Sequence, residues 1–230
     1  MTRVLAISPH LDDAVFSAGG CLYCHSEAGD AVAVATCFTG NTAEPRGFAL
    51  ACQLDKGLGP EIDYMALRRA EDQAACAILN VKAIHLDFLE APHRGYESAE
   101  ALFDGRLLTD DVVMPLVKEL AALVASYRPD LVYGPIGIGG HVDHLVVREA
   151  LEAISTNQTL ILWEDYPYAQ KEKKAPPCVH RVALDEEAHA RKLEATLAYE
   201  SQIGFQFGGV EAARNALSSW RHEGFVRETS

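Results

Sequence analysis

Residues 3–13 read RVLAISPHLDD, a short apolar run that ends in a cluster of ionisable side chains. Val4 to Ile7 is continuously apolar and closes at Ser8-Pro9, the pattern of a strand covered on both faces. Residues 12–28 then carry helical spacing, with Gly29-Asp30 as a stop. The rest of the chain repeats this alternation. Residues 31–39 (AVAVATCFT), 81–88, 130–134 and 159–164 read as further strands. Residues 64–79, 109–127, 142–154 and 185–201 read as helices. Strands alternating with helices imply right-handed crossovers, a mostly parallel sheet, and ligands at the carboxyl ends of the strands. Residues 41–59 and 89–105 lose periodicity and are expected as long loops that shape a pocket. Residues 171–177 are a charged, Pro-containing connection. No repeat, linker or low-complexity tract divides the chain, so residues 1–230 are expected to form one domain.

Composition narrows the partners. The chain has 49% apolar residues, enough for a sizeable core, and a formal net charge of −13 from 20 basic and 33 acidic residues. Such a field repels phosphate backbones and anionic lipid, so no nucleic acid and no membrane partner is expected. Selectivity for charged substrates is expected to be modest. No uncharged apolar run approaches the roughly 18 residues of a membrane helix. Arg3 ahead of apolar residues briefly imitates a signal peptide, but His10, Asp12 and Asp13 interrupt it. The expected compartment is the cytoplasm. Nothing in the sequence decides between a monomer and a homo-oligomer.

Six cysteines (Cys21, Cys24, Cys37, Cys52, Cys76, Cys178) are too few and too scattered for a disulfide scaffold. Cys21-Leu-Tyr-Cys24-His25 matches a haem-attachment pattern, but it falls inside a helix and is read as buried, reduced thiols. His25, His85, His180, His189 and His222 are read as surface or packing residues.

Two clusters carry chemistry. His10 and Asp13 stand three apart across a strand-to-helix turn, so their side chains can converge. Adjacent helical residues point about 100° apart, so Asp12 and Asp13 cannot do the same job. The second cluster is Gly140-His141-Val142-Asp143-His144, after a Gly-rich loop and at a helix start. His141 and His144 are spaced i, i+3, on one face of the first turn, and a helix N-terminus disfavours imidazolium. Two histidines and a carboxylate make the ligand set of a catalytic zinc with a position left for water. Alone, each cluster reads equally well as a helix cap or solvated helix start. Both follow expected strands and so share one sheet edge, which favours a common site.

Pro9-His10-Leu11-Asp12-Asp13 resembles the Pro-His-Pro-Asp-Asp motif of the PIG-L/LmbE-like zinc-dependent N-deacetylases, and Gly140–His144 resembles their Gly-His-x-Asp-His motif. The similarity runs from about residue 3 to 202. It implies a Rossmann-like, three-layer α/β/α domain and one zinc per chain held by His10, Asp13 and His144. It further implies Asp12 as general base, His141 as acid or oxyanion stabiliser, and Asp143 orienting His141. Substrates would be N-acetylglucosamine conjugates or related amino sugars, cleaved at the N-acetyl amide. Leu11 replaces the motif's second proline, Ala14 the Glu that often follows, and Gly139 a tyrosine of the thiol-pathway members. Arg68-Arg69-Ala70-Glu71 resembles an Arg-x-x-Glu element whose arginine contacts sugar; the plainer reading of Arg68 is an i, i+4 pair with Asp72. Trp163–Tyr168 resembles a Tyr-Glu-Asp-x-Pro-Tyr segment, making Glu164 and Asp165 candidates for substrate contact or support. Asp87 and the stretch His93-Arg94-Gly95-Tyr96 are candidate rim residues. Three rival readings are a receiver domain with paired acids after its first strand, a redox or haem protein built on Cys21 and Cys24, and an inactive sugar-binding scaffold. The first needs only about half this length, and none of the three uses both histidine motifs catalytically.

Overall fold

The structure, a computed structural model, describes residues 1–154, 158–171 and 180–228. Its strands are β1 (Arg3–Ser8), β2 (Ala31–Thr36), β3 (Lys82–His85), β4 (Leu131–Pro135), β5 (Thr159–Trp163), β6 (His180–Ala183) and β7 (His222–Glu228). They form one sheet in the order β3-β2-β1-β4-β5-β7-β6. The first five are mutually parallel, and β7 runs antiparallel to both β5 and β6. The helices are α1 (Asp13–Glu27), α2 (Gly47–Leu54), α3 (Tyr64–Ile78), α4 (Val113–Tyr127), α5 (Val142–Ala153), α6 (Tyr168–Lys171), α7 (Glu186–Leu197), α8 (Glu200–Phe207) and α9 (Val210–Ser219).

The unbroken apolar run of β1 has its explanation in the two cores. Val4 and Ala6 pack with Val15, Phe16, Leu79 and Ala195 of one face. Leu5 and Ile7 pack with Leu116, Leu120, Val146 and Ala150 of the other. Successive residues alternate faces, and all four are fully buried. Each of the larger two contributes about 1.5–3 kcal/mol by burial. The expected α/β architecture with a mostly parallel sheet is therefore observed.

Several boundaries differ. Strand β2 stops at Thr36, and Cys37 and Phe38 turn away to bond Ser8 and Pro9 carbonyls. Residues 41–59, expected as a loop, contain α2, an eight-residue helix too short to be stable without the tertiary packing it receives. The helix expected over 185–201 breaks at Ala198-Tyr199 into α7 and α8. Neither α9, β6 nor β7 was signalled; β6 and β7 are short and mixed in polarity, and exist because β5 offers a free edge. Of the expected 171–177 connection, residues 172–177 lie outside the described residues, as does Cys178. Cys37 and Cys76 are buried as expected, but Cys24 in the last turn of α1 is exposed. Among the described residues, no helix is long and apolar enough to cross a membrane.

The sheet order reverses direction between β1 and β4, which are neighbours in space but not in sequence. Chains leaving adjacent strands at such a point diverge and leave a crevice. Both motif loops, 9–12 and 136–141, leave from this pair.

Candidate active site

The β1–α1 turn brings His10 and Asp13 together: Asp13 Oδ2 accepts the His10 backbone N–H at 2.9 Å and lies 3.0 Å from His10 Nδ1. From the start of α5, His144 directs its Nε2 to within 3.2 Å of the same oxygen. One ligand atom from each of His10, Asp13 and His144 lies within 4.8 Å of the others. The His144 Nε2 atom is buried and has no hydrogen-bond partner among the described residues. Its other ring nitrogen is held by the Asp165 carboxylate at 2.7 Å. Asp165 is in turn fixed by the Gly137 and Ile138 N–H groups, both at 2.8 Å. A carboxylate on one side of an imidazole fixes its tautomer and leaves a lone pair on the other, the arrangement common at metal-binding histidines.

His10, His141 and Asp143 form a second group with metal-ligand spacing. Most of its ligand atoms are already engaged, His141 Nε2 excepted. His141 Nδ1 accepts the Asp143 backbone N–H at 3.2 Å. Asp143 Oδ2 is bonded to His10 Nε2 at 2.9 Å and to the Ala91 N–H at 3.1 Å. Arg94 Nη1 stands 2.8 Å from Asp143 Oδ1, out of line for a hydrogen bond but neutralising its charge. The first group therefore fits a cation better, with two imidazoles and a carboxylate as donors. The Asp143 carboxylate grips His10 rather than His141, and it is the Asp143 backbone that orients His141.

Electrostatics agree with this division. Burial pushes the His10 and His144 imidazoles toward neutrality, but Asp13 and the flanking carboxylates outweigh it. His10 is held well above its ordinary value and His144 is raised to about 9. Burial opposes ionisation of Asp13 as well, yet the two imidazoles keep its carboxyl well below the usual range. A field that favours protons on His10 and His144 favours a divalent cation in their place. His141 behaves oppositely: burial and the neighbouring His10 charge lower it to about 3. Burial and then Asp13 raise Asp12 to about 7, with the Arg68 guanidinium opposing.

A single cavity is lined by His10, Asp12, Asp13, His141 and Asp143, together with Phe48, Lys56, Tyr64, Arg68, Phe103, Tyr168 and Phe205. Of the five expected substrate contacts only Arg68 reaches it, as does His93 of the expected rim, and the Arg68 guanidinium is engaged internally. It sits 2.5 Å from Glu90, 3.6 Å from Asp12, and bonds the Leu11 carbonyl at 3.3 Å. The i, i+4 pair with Asp72 does not form, because Asp72 serves His85 and the Tyr199 hydroxyl. The other four lie off the cavity wall. Arg94 is clamped by Asp110 behind Asp143, and Asp165 is fully buried behind His144. Glu164 faces Gly224 and Arg181 at the β7 side of the sheet, and Asp87 is exposed beyond β3. Phe48, Lys56, Glu90 and Phe205 were not anticipated; the aperiodic 41–59 and 89–105 stretches were the one signal for the first three.

Gly139 has φ +87°, and a Cβ there would lie 2.9 Å from Cβ, Cγ and Cδ1 of Tyr168. The Tyr168 ring occupies the space that a side chain at 139 would take. It packs edge-on against His144, with centroids 5.5 Å apart. Asp165→Asn should weaken metal binding by about 10- to 100-fold, the usual effect of removing a carboxylate behind a ligand histidine. Competitive titration with a zinc chelator measures this, and an unchanged affinity would show that Asp165 serves only to anchor the Gly-rich loop.

The family model described as PIG-L: GlcNAc-PI de-N-acetylase matches residues 5–155. The chain is 31% identical over 170 residues to a 2'-N-acetylparomamine deacetylase of Streptomyces fradiae, covering 73% of this chain and 58% of that protein. It thus spans less than two thirds of that relative. It is 29% identical to the 1D-myo-inositol 2-acetamido-2-deoxy-alpha-D-glucopyranoside deacetylase of Corynebacterium glutamicum strain R, covering 90% of this chain and 77% of that one. A crystal structure of a deacetylase from the teicoplanin biosynthesis pathway superposes with a TM-score of 0.83 at 30% identity, covering both chains fully.

Proposed function

This chain belongs to the PIG-L family, and we propose that it is a metal-dependent hydrolase that removes an N-acetyl group from an amino-sugar compound. The observation that carries this reading is the convergence of His10, Asp13 and a His144 Nε2 that makes no hydrogen bond among the described residues, at a cavity lined by His10, Asp13 and a second, separate carboxylate, Asp12. The relatives named above are N-deacetylases of amino-sugar compounds, which makes the substrate class the natural one to test.

His10, Asp13 and His144 would hold one zinc. A zinc bound by these residues would supply Lewis-acid polarisation of an acyl carbonyl and a water acidified to near neutrality. Asp12 belongs to none of the imidazole contacts and lines the cavity, held from one side by Arg68. In this reading it takes the proton as water adds to the carbonyl carbon, and returns it to the amine as the C–N bond breaks. His141 accepts the Asp143 N–H at Nδ1, so the neutral ring carries its proton on Nε2. That N–H is a donor for the negative oxygen of the tetrahedral species, a type of contact whose loss costs about 10²–10³ in turnover. His141 thus acts as a hydrogen-bond donor more naturally than as an acid. Asp143 and Asp165 position His10 and His144 respectively.

The direct test is elemental analysis of purified protein combined with acetate release from a panel of N-acetylated amino sugars. Near-stoichiometric zinc and release from at least one sugar are expected. His144→Ala should lose most of the metal. Equal metal in variant and wild type would remove His144 from the ligand set, and no acetate from any sugar would sink the substrate class.

A further inference from the structure

The cavity is rich in carboxylates, and among the described residues one of its cations has no ion-paired acid. Arg68 faces Glu90 and Asp12. Lys56 lines the same cavity from the turn after α2. Its ammonium donates to the Cys52 carbonyl at 2.9 Å and stands over the Phe205 ring at 4.6 Å and the Tyr64 ring at 5.6 Å. No carboxylate among the described residues forms an ion pair with it. An ammonium has three donors, so two remain for a ligand. Burial, then Arg68, lowers the Lys56 pKa, and Glu90 and Asp12 oppose this only from beyond ion-pair distance; a half-buried cation without a paired carboxylate is costly. Ring faces offset only about 0.5–2 kcal/mol of that. In a chain with 33 acidic residues, the absence of a partner at this position, inside the cavity, marks a place for an anion brought by the ligand.

We propose that Lys56 is an anion subsite of this cavity, binding a carboxylate or phosphate carried by the substrate away from the amide that is cleaved. The proposal rests on the deacetylase reading above and narrows its substrate class to acidic amino sugars. It differs from the expectation of modest charge selectivity, which followed from the net charge and the lack of a basic cluster in the sequence. Phe205 and Tyr64 hold the ammonium over the faces of their rings, and the Cys52 carbonyl fixes its height in the cavity. A ligand anion then meets a placed donor rather than a freely rotating one, which lowers the entropy lost on binding.

The test compares zinc-loaded wild type, Lys56→Met and Lys56→Arg on three substrates. These are N-acetylglucosamine, its 6-phosphate, and N-acetylmuramic acid, which carries a carboxylate. Wild type should prefer one or both acidic sugars in kcat/KM by about tenfold. Lys56→Met should abolish that ratio, and Lys56→Arg should keep most of it. No preference in wild type, or a ratio that survives Lys56→Met within about twofold, would overturn the proposal. Calorimetric titration of the two acidic sugars into wild type and Lys56→Met reads the same subsite without turnover. Lysine-dependent binding with no acetate released would leave the subsite standing and remove the deacetylase reading. Turnover of all three sugars without preference would do the reverse.

Discussion

Asp12→Asn should keep its zinc and lose about 10²–10⁴ in turnover, whereas Asp13→Asn should lose the zinc itself. The two residues are adjacent and chemically identical, so any difference comes from direction alone. Asp13 is the first residue of α1, whereas Asp12 precedes it with non-helical backbone and not, as expected, one helical position away, and the structure shows where each one goes. Asp13 Oδ2 lies 3.0 Å from His10 Nδ1 and 3.2 Å from His144 Nε2, at the focus of the imidazoles. Asp12 touches neither ring and faces Arg68 at 3.6 Å. An amide in place of the Asp13 carboxylate removes the one anionic donor of the ligand set, so added zinc should partly restore activity. An amide in place of Asp12 removes a base and leaves the ligand set intact, so added zinc should do nothing. Measuring metal content and turnover on both variants in parallel decides the matter. Loss of metal in Asp12→Asn with retention in Asp13→Asn would reverse the roles. Unchanged turnover in both would refute the hydrolase.

Lys192→Met should destabilise the fold by about 3–5 kcal/mol, the cost of leaving a buried charge without its partner. At about 2–4 °C per kcal/mol for a chain of this size, Tm should fall by roughly 6–20 °C. Lys192 of α7 is 1% exposed, and its ammonium lies 2.7 Å from Glu223 Oε1 of β7. Glu223 also accepts the Gly20 and Cys21 N–H groups of α1 at 2.9 and 2.8 Å. One carboxylate thus ties two helices to the antiparallel strand, far along the chain from either. Lys192→Met strands that carboxylate against two backbone donors only. The double variant Lys192→Met/Glu223→Leu removes both charges and should recover a large part of the loss, since paired burial is often matched by apolar packing. Urea unfolding of the four proteins closes the cycle. Additive losses in the double variant would show that the two residues are not coupled.

The sequence by itself determined the sheet's centre and the two chemical clusters. Four fully apolar residues before Ser8-Pro9 can only be satisfied between two layers, and β1 lies there. The histidines and aspartates at the ends of β1 and β4 were legible because local geometry, a strand end and a first helical turn, fixes where such side chains point. The partners of those side chains were not legible. That Asp143 holds His10, that Asp165 holds His144, and that Arg68 faces Asp12 rather than Asp72 depend on segments 21 to 133 residues apart in the chain. No periodicity encodes such pairings, because they follow from how strands are ordered in the sheet. The same holds for β7, whose alternation is weak and whose place is set by the open edge of β5. Lys56 is the clearest case. Net charge gave it no meaning, and only the meeting of the turn after α2 with α3 and α8 leaves its ammonium between two rings with no ion-paired acid among the described residues.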